Sequence, residues 1–165
     1  MGAARQVSAT LTRVRLGDRP TQPLLAGLAD EYRARYGDID VLADAHADQF
    51  AAPDGAFVVL LDDGVTLAGG GLRRLDATTA EVKRMWTSPR HRRQGLARVV
   101  LRGLEQVADE LGYRRIRLET GPHQPEAVGL YASLGYERIA VYGPYELAIA
   151  FERDLPRRAP GHRLR

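Results

Sequence analysis

Residues 78 to 101 read TTAEVKRMWTSPRHRRQGLARVVL. A strand-forming run closes at Pro89, an arginine-rich turn follows, and an amphipathic helical pattern begins at once. Val82, Met85, Trp86 and Thr87 favour an extended chain, and Pro89 ends it. From Leu96 onward Val99, Val100, Leu104, Val107, Ala108 and Leu111 recur at helical spacing, and Gly112 stops the pattern. Strand, tight turn and helix thus follow one another without a break.

The turn itself points to a ligand. The first N–H groups of a helix lack internal partners, and the helix dipole adds partial positive charge there, so anions are attracted. Gly95 and Ala97 keep the approach open, while Arg92, Arg93 and Arg98 supply guanidinium groups suited to paired hydrogen bonds with phosphate. A ligand with several phosphates fits. A dinucleotide fingerprint would need G-x-G-x-x-G, and a nucleotide-triphosphate loop would need a Gly-Lys pair; neither is present.

Around this unit the remaining elements follow from periodicity and punctuation. Strand alternation covers residues 9 to 16, and helical spacing of Leu24, Leu25, Leu28, Tyr32 and Tyr36 precedes Gly37. A second short helix is expected over 43 to 50. AFVVLLDD and VTLAGGGLRRL form a hairpin around Asp62, Asp63 and Gly64, with a bulge expected at glycines 69 to 71. RRIRLETG reads as a strand, PEAVGLYASLG as a short helix, and YERIAVYG and YELAIAFERD as two last strands. The tail LPRRAPGHRLR is expected to be flexible.

Composition removes several chemistries. There is no cysteine, which excludes disulfides, thiolate metal sites and a cysteine nucleophile; the four histidines are scattered, and no metal is expected. Lys83 is the one lysine, so Schiff-base chemistry has a single candidate. No apolar run approaches the ~18 residues of a membrane span, and the opening residues lack the apolar core of a secretory signal, so the expected location is the cytoplasm. The net charge of +3 fits an anionic ligand or nucleic acid without deciding between them.

The R-x-x-G-x-A pattern of Arg92, Gly95 and Ala97 resembles the acyl-coenzyme A signature of the GNAT superfamily of N-acetyltransferases. AEVKRMWTSP before it and LETGPHQPEAVGLYASLGYERI after it are similar to the flanking segments of that family. The resemblance covers roughly residues 8 to 153. It implies an α/β (α+β) fold: a twisted, mostly antiparallel mixed sheet of six to seven strands, flanked by about four helices and splayed at the fourth and fifth strands. The domain would occupy residues 1–154, followed by a basic tail, 155–165.

The same resemblance implies transfer of an acetyl group from acetyl-coenzyme A directly to the primary amine of a small molecule or peptide, with no metal. Backbone groups of Met85, Trp86 and Thr87 would hold the pantetheine arm, and the amides of Gln94, Gly95, Leu96, Ala97 and Arg98 the pyrophosphate. Gln124 stands where many members carry an asparagine that helps hold the cofactor. Glu81 is the expected general base; in strict strand alternation it shares a face with Lys83, and a simple ion pair between the two is the alternative. Tyr131, in LYASLGY, matches the tyrosine expected to protonate the leaving thiolate, its alternative being a core residue of a short helix. Glu31, Tyr32, Arg33, Tyr36, Tyr142 and Tyr145 are expected to line the acceptor site. A monomer or homodimer is expected. Two other readings stay open: a non-catalytic acyl-coenzyme A sensor, and a basic nucleic-acid-binding domain, for which the turn lacks stacking aromatics apart from Trp86.

Overall fold

The structure is a computed structural model and describes residues 8–37 and 46–157. Its strands are β1 (Thr10–Val14), β2 (Ala56–Asp62), β3 (Val65–Arg74), β4 (Thr79–Thr87), β5 (Arg115–Thr120), β6 (Glu137–Ile139) and β7 (Ile149–Asp154). The helices are α1 (Gln22–Tyr36), α2 (Leu96–Glu110) and α3 (Pro125–Ser133). The strands form one sheet in the order β1-β2-β3-β4-β5-β7-β6. Every neighbouring pair is antiparallel except β4 and β5, which are joined through α2 and run parallel.

Local chemistry explains the elements. The β2–β3 hairpin turns at Asp63 and Gly64, both at positive φ (49° and 76°), the backbone that an Asp-Gly pair favours between twisted strands. Helix α2 buries Leu96, Val100, Leu101, Leu104, Val107 and Ala108 against the sheet. Val99, placed on that stripe by the sequence pattern, is 45% exposed; at 100° per residue it lies beyond the edge of the buried arc. Of the second helix expected over 43 to 50, the structure shows a 3-10 turn at Ala47–Phe50, and 43–45 lie outside the described residues. Phe50 anchors that turn, edge-on to Phe57.

The core has two layers. On one face of the sheet α2 and α3 pack on Val58, Leu60, Leu72, Val82, Ile116 and Leu118. On the other face Leu24 and Leu28 of α1 pack with Phe50, Phe57, Val59 and Trp86.

The bulge expected from the three glycines is present, and the extra residue sits on the opposing strand. Gly69 pairs with Trp86 and Gly71 with Lys83, so Gly70 faces both Arg84 and Met85. Arg84 takes a left-handed φ of 58°, and its guanidinium lies 5.2 Å from the Phe50 ring centre. The added residue shifts the alternation. Met85 and Leu104 both lie against Gly70 on the α2 face, whereas Trp86 turns to the α1 face and rests on Gly27.

The last strand is shorter than the pattern YELAIAFERD predicts, because β7 starts only at Ile149. Residues 140–148 are instead pulled across the sheet by Glu119, whose Oε1 accepts the main-chain N–H of Tyr142 (3.3 Å) and of Gly143 (2.9 Å). Leu155, placed in the tail by the sequence reading, is buried, and its N–H donates to the Arg114 carbonyl at 2.8 Å. Residues 158–165 lie outside the described residues.

Candidate active site

The ladder between β4 and β5 comprises three pairs, Thr79 with Arg115, Ala80 with Ile116 and Glu81 with Arg117. Beyond Glu81 the two strands part, although each continues for several residues. The wedge between them is bounded by Val82 to Thr87 on one side and Leu118 to Thr120 on the other. Main-chain groups along the β5-facing edge of β4 are therefore available to an extended ligand, as at any sheet edge.

Glu81 stands where the parting begins and is 5% exposed. Its Oε1 accepts from Arg73 Nε (2.9 Å) and pairs with Arg73 Nη2 (2.8 Å). Its Oε2 accepts the Tyr142 hydroxyl at 2.7 Å. The ion-pair partner of Glu81 is thus the cross-strand Arg73, which faces it in the β3–β4 register, and not Lys83. Burial, and then the adjacent Glu81 carboxylate, push the Tyr142 phenol far above its usual range, so it stays a proton donor to that carboxylate.

On the α1 face a cavity of about 300 Å³ opens at the wedge. Tyr32 and Tyr36 come from α1, Glu81, Lys83 and Arg84 from β4, Glu119 and Thr120 from β5, and Tyr145, Leu147 and Ala148 from the crossing segment. The far end of α1 is held over it by Arg35, which donates to the His123 carbonyl at 3.0 Å and pairs with Glu126 at 2.9 Å. The Tyr36 hydroxyl is buried against Gly121 with no hydrogen-bond partner among the described residues. Of the six side chains expected at the acceptor site, the cavity gathers Tyr32, Tyr36 and Tyr145, while Arg33 and Tyr142 are not in its lining. Glu31 lies apart from that lining and is paired with Arg92.

The turn before α2 runs through a 3-10 turn at Pro89–His91 and two left-handed residues, Arg93 (φ 61°) and Gly95 (φ 76°). No side chain among the described residues caps α2. Nothing lies within 4 Å of where a Gly95 side chain would begin, so conformation, and not crowding by the chain itself, calls for glycine there. Arg93, Gln94 and Arg98 are exposed around this turn. Arg92, exposed as they are, is engaged by the chain: it pairs with Glu31, and its Nε donates to the Thr87 carbonyl at 3.3 Å. It ties the turn to both β4 and α1.

The description "Acetyltransferase (GNAT) family" belongs to the family model that matches residues 22–136. The chain belongs to the GNAT family. Its relatives include the N-acetyltransferase YjgM of Escherichia coli, itself uncharacterized, at 32% identity over 80% of this chain and 84% of that protein. The IAA acetyltransferase of Azospirillum brasilense is 30% identical over 84% of this chain and 95% of that protein. Among solved structures, PaiA N-acetyltransferase of Thermoplasma acidophilum, determined in complex with coenzyme A, shares the fold with a TM-score of 0.65 at 14% identity, covering 89% of this chain and 99% of that one.

Within this GNAT fold the other family-derived positions fall as follows. Tyr131 is buried at 6% exposure between Tyr136 and Phe151, with ring centres 6.1 and 5.8 Å away. Burial pushes its phenol well above the ordinary range, with a smaller contribution from Tyr32. Gln124 precedes α3, and its side-chain Oε1 accepts from the Thr120 hydroxyl (2.8 Å) and the Gly121 N–H (3.0 Å). That amide oxygen shapes the β5–α3 loop. Glu119, by contrast, was not singled out by sequence reasoning. Its signal was present in RIRLET, where Arg117 and Glu119 alternate against the buried Ile116 and Leu118.

Proposed function

We propose that this GNAT chain transfers an acetyl group from acetyl-coenzyme A to a primary amine of a small molecule or peptide. The observation that carries the reading is the parting of β4 from β5 directly after Glu81, with a cavity holding two carboxylates, Glu81 and Glu119, on its α1 side.

The residues present fit the coenzyme. An uncapped helix start with Gly95 in the left-handed region leaves the first amide hydrogens of α2 without a side-chain acceptor among the described residues, and the exposed Arg93 and Arg98 add positive charge for the phosphates. The edge of β4 from Met85 to Thr87 would pair with the pantetheine arm in the manner of an added strand. When bound, acetyl-coenzyme A supplies the activated acetyl group as a thioester.

The chain's own task is proton handling. An alkylammonium has a reference pKa of about 10.4 and must lose a proton to become nucleophilic. The cavity carboxylates are the groups able to take it. Tyr131 is the group that the family motif offers as proton donor to the departing sulfur, and burial keeps it in its protonated form. The tyrosine-lined, largely apolar cavity wall favours an amine carried on an apolar body.

Thermal shifts measured with acetyl-coenzyme A, dephospho-coenzyme A and pantetheine, followed by thiol release with a panel of primary amines, amino acids and peptides, test the reading. Stabilisation graded by phosphate content together with thiol release is the expected result. No stabilisation by acetyl-coenzyme A would overturn it, and stabilisation with no thiol release for any amine would leave the chain a non-catalytic binder.

A further inference from the structure

Resting on the reading above, we infer that Glu119, and not Glu81, is the carboxylate that receives the acceptor's ammonium group and takes its proton. The two side chains share one face of the sheet at the point where β4 and β5 separate, because Glu81 pairs with Arg117 and Glu119 lies two residues further along β5. Their surroundings divide the work.

Glu81 is saturated. Arg73 occupies Oε1 with two nitrogens, Tyr142 occupies Oε2, and the side chain is almost wholly buried. Its charge is already balanced by a guanidinium 2.8 Å away. An incoming ammonium would have to compete with partners that are in place and desolvated, at the cost of leaving one of them unpaired.

Glu119 presents the opposite arrangement. Its Oε1 is fixed by two main-chain N–H groups, from Tyr142 and Gly143. Its Oε2 makes no hydrogen bond or ion pair among the described residues, and Glu119 lines the cavity. The neighbouring cation on its own strand, Arg117, is committed to Glu152 at 2.5 Å. A side chain starting at Gly143 would stand 2.6 Å from Oε2, so glycine there keeps room for the carboxylate. One oxygen is held and the other is left for a ligand: a site for a positively charged donor, set among the aromatic faces of Tyr32, Tyr36 and Tyr145.

The chemistry balances. One ammonium proton passes to Oε2 of Glu119 and from there to water. The freed nitrogen pair forms the N–C bond as the C–S bond breaks, and the proton released from nitrogen when the amide forms ends on sulfur. Glu81 acts as a positioning residue: it holds Tyr142, and through Tyr142 the segment that carries the second N–H donor to Glu119.

Glu119→Gln separates charge from architecture, because a glutamine carbonyl oxygen still accepts from the two main-chain N–H groups. The experiment measures acetyl-coenzyme A-dependent thiol release with the same amine panel for the wild type, E119Q and E81Q, alongside thermal midpoints with and without acetyl-coenzyme A. For E119Q we expect a loss of at least about 100-fold in kcat/KM for the amine, the lower end of what a positioned base contributes. Its midpoint and its response to acetyl-coenzyme A should match the wild type. E81Q should lower the midpoint, and its activity loss should be smaller. An E119Q enzyme within a few-fold of the wild type would overturn the inference while leaving the acetyltransferase reading intact. A wild type that releases thiol with no amine in the panel would overturn both.

Discussion

The Tyr142 hydroxyl donates a 2.7 Å hydrogen bond to Oε2 of Glu81, joining residues 61 positions apart. It does so from a segment with no strand or helix of its own, whose position over the sheet is set by two N–H contacts to Glu119. Two carboxylates on adjacent strands therefore define where residues 140–148 lie. Tyr142→Phe removes one donor from a buried carboxylate and should cost about 1.5–3 kcal/mol, the usual worth of a hydrogen bond to a charged group. Urea unfolding of the wild type and variant checks this; an unchanged midpoint would show that the bond contributes nothing to stability.

Alkaline conditions should unfold this protein in a defined way. Burial pushes the phenols of Tyr131, Tyr136 and Tyr142 far above their ordinary range, with Glu105 adding to the effect at Tyr136 and Glu81 at Tyr142. Folded pKa values above unfolded ones mean that the native state keeps protons that the unfolded chain releases. Stability is thus complete below about pH 10 and falls as pH rises beyond it, by ~1.4 kcal/mol per pH unit for each such phenol. Urea midpoints measured from pH 9 to 11.5 should decline steeply above pH 10, and Tyr142→Phe should show a shallower decline. A flat profile would contradict the placement of these rings.

Trp86, the single tryptophan of the chain, packs its indole on Gly27 of α1; a side chain begun at Gly27 would lie 2.3 Å from Trp86 Nε1. Gly27→Ala must move either the helix or the indole. The expected loss is ~1–3 kcal/mol, typical of overpacking, with a shift in tryptophan emission as the buried ring is displaced. Fluorescence and unfolding on the same samples test both, and wild-type emission would argue against the contact.

Gly95→Ala probes the turn. The left-handed φ of 76° costs a residue with a Cβ roughly 1–2 kcal/mol, and relief of that strain would turn the first amides of α2 away from the ligand. We expect a modest drop in thermal midpoint and a clear reduction in the stabilisation given by acetyl-coenzyme A, read by thermal shift. A full ligand response in the variant would separate the turn from coenzyme binding.

The strand, turn and helix around Gly95 were legible because everything that specifies them is local: apolar spacing, a closing proline and a glycine at a left-handed position. The hairpin at Asp63 and Gly64 was legible for the same reason. The bulge was placed at the three glycines, but its added residue is Arg84 on the facing strand, and no local pattern marks an arginine for a positive φ. The ion pair weighed as the alternative for Glu81 was with its strand neighbour Lys83, whereas the partner is Arg73, contributed by β3. Glu119 was passed over because its role depends on a segment 23 and 24 residues later folding back across it. Contacts of that range leave no periodicity to read.

The arginine inserted at position 84 has an effect on comparison between relatives. Counting in twos from Glu81 would put residue 86 on the opposite side from the carboxylate, yet the indole and Glu81 end up on the same side. A relative with one residue fewer here would swap which of its two following side chains meets the first helix, so an alignment column at 85 or 86 carries a spatial meaning only between sequences of equal length across this stretch.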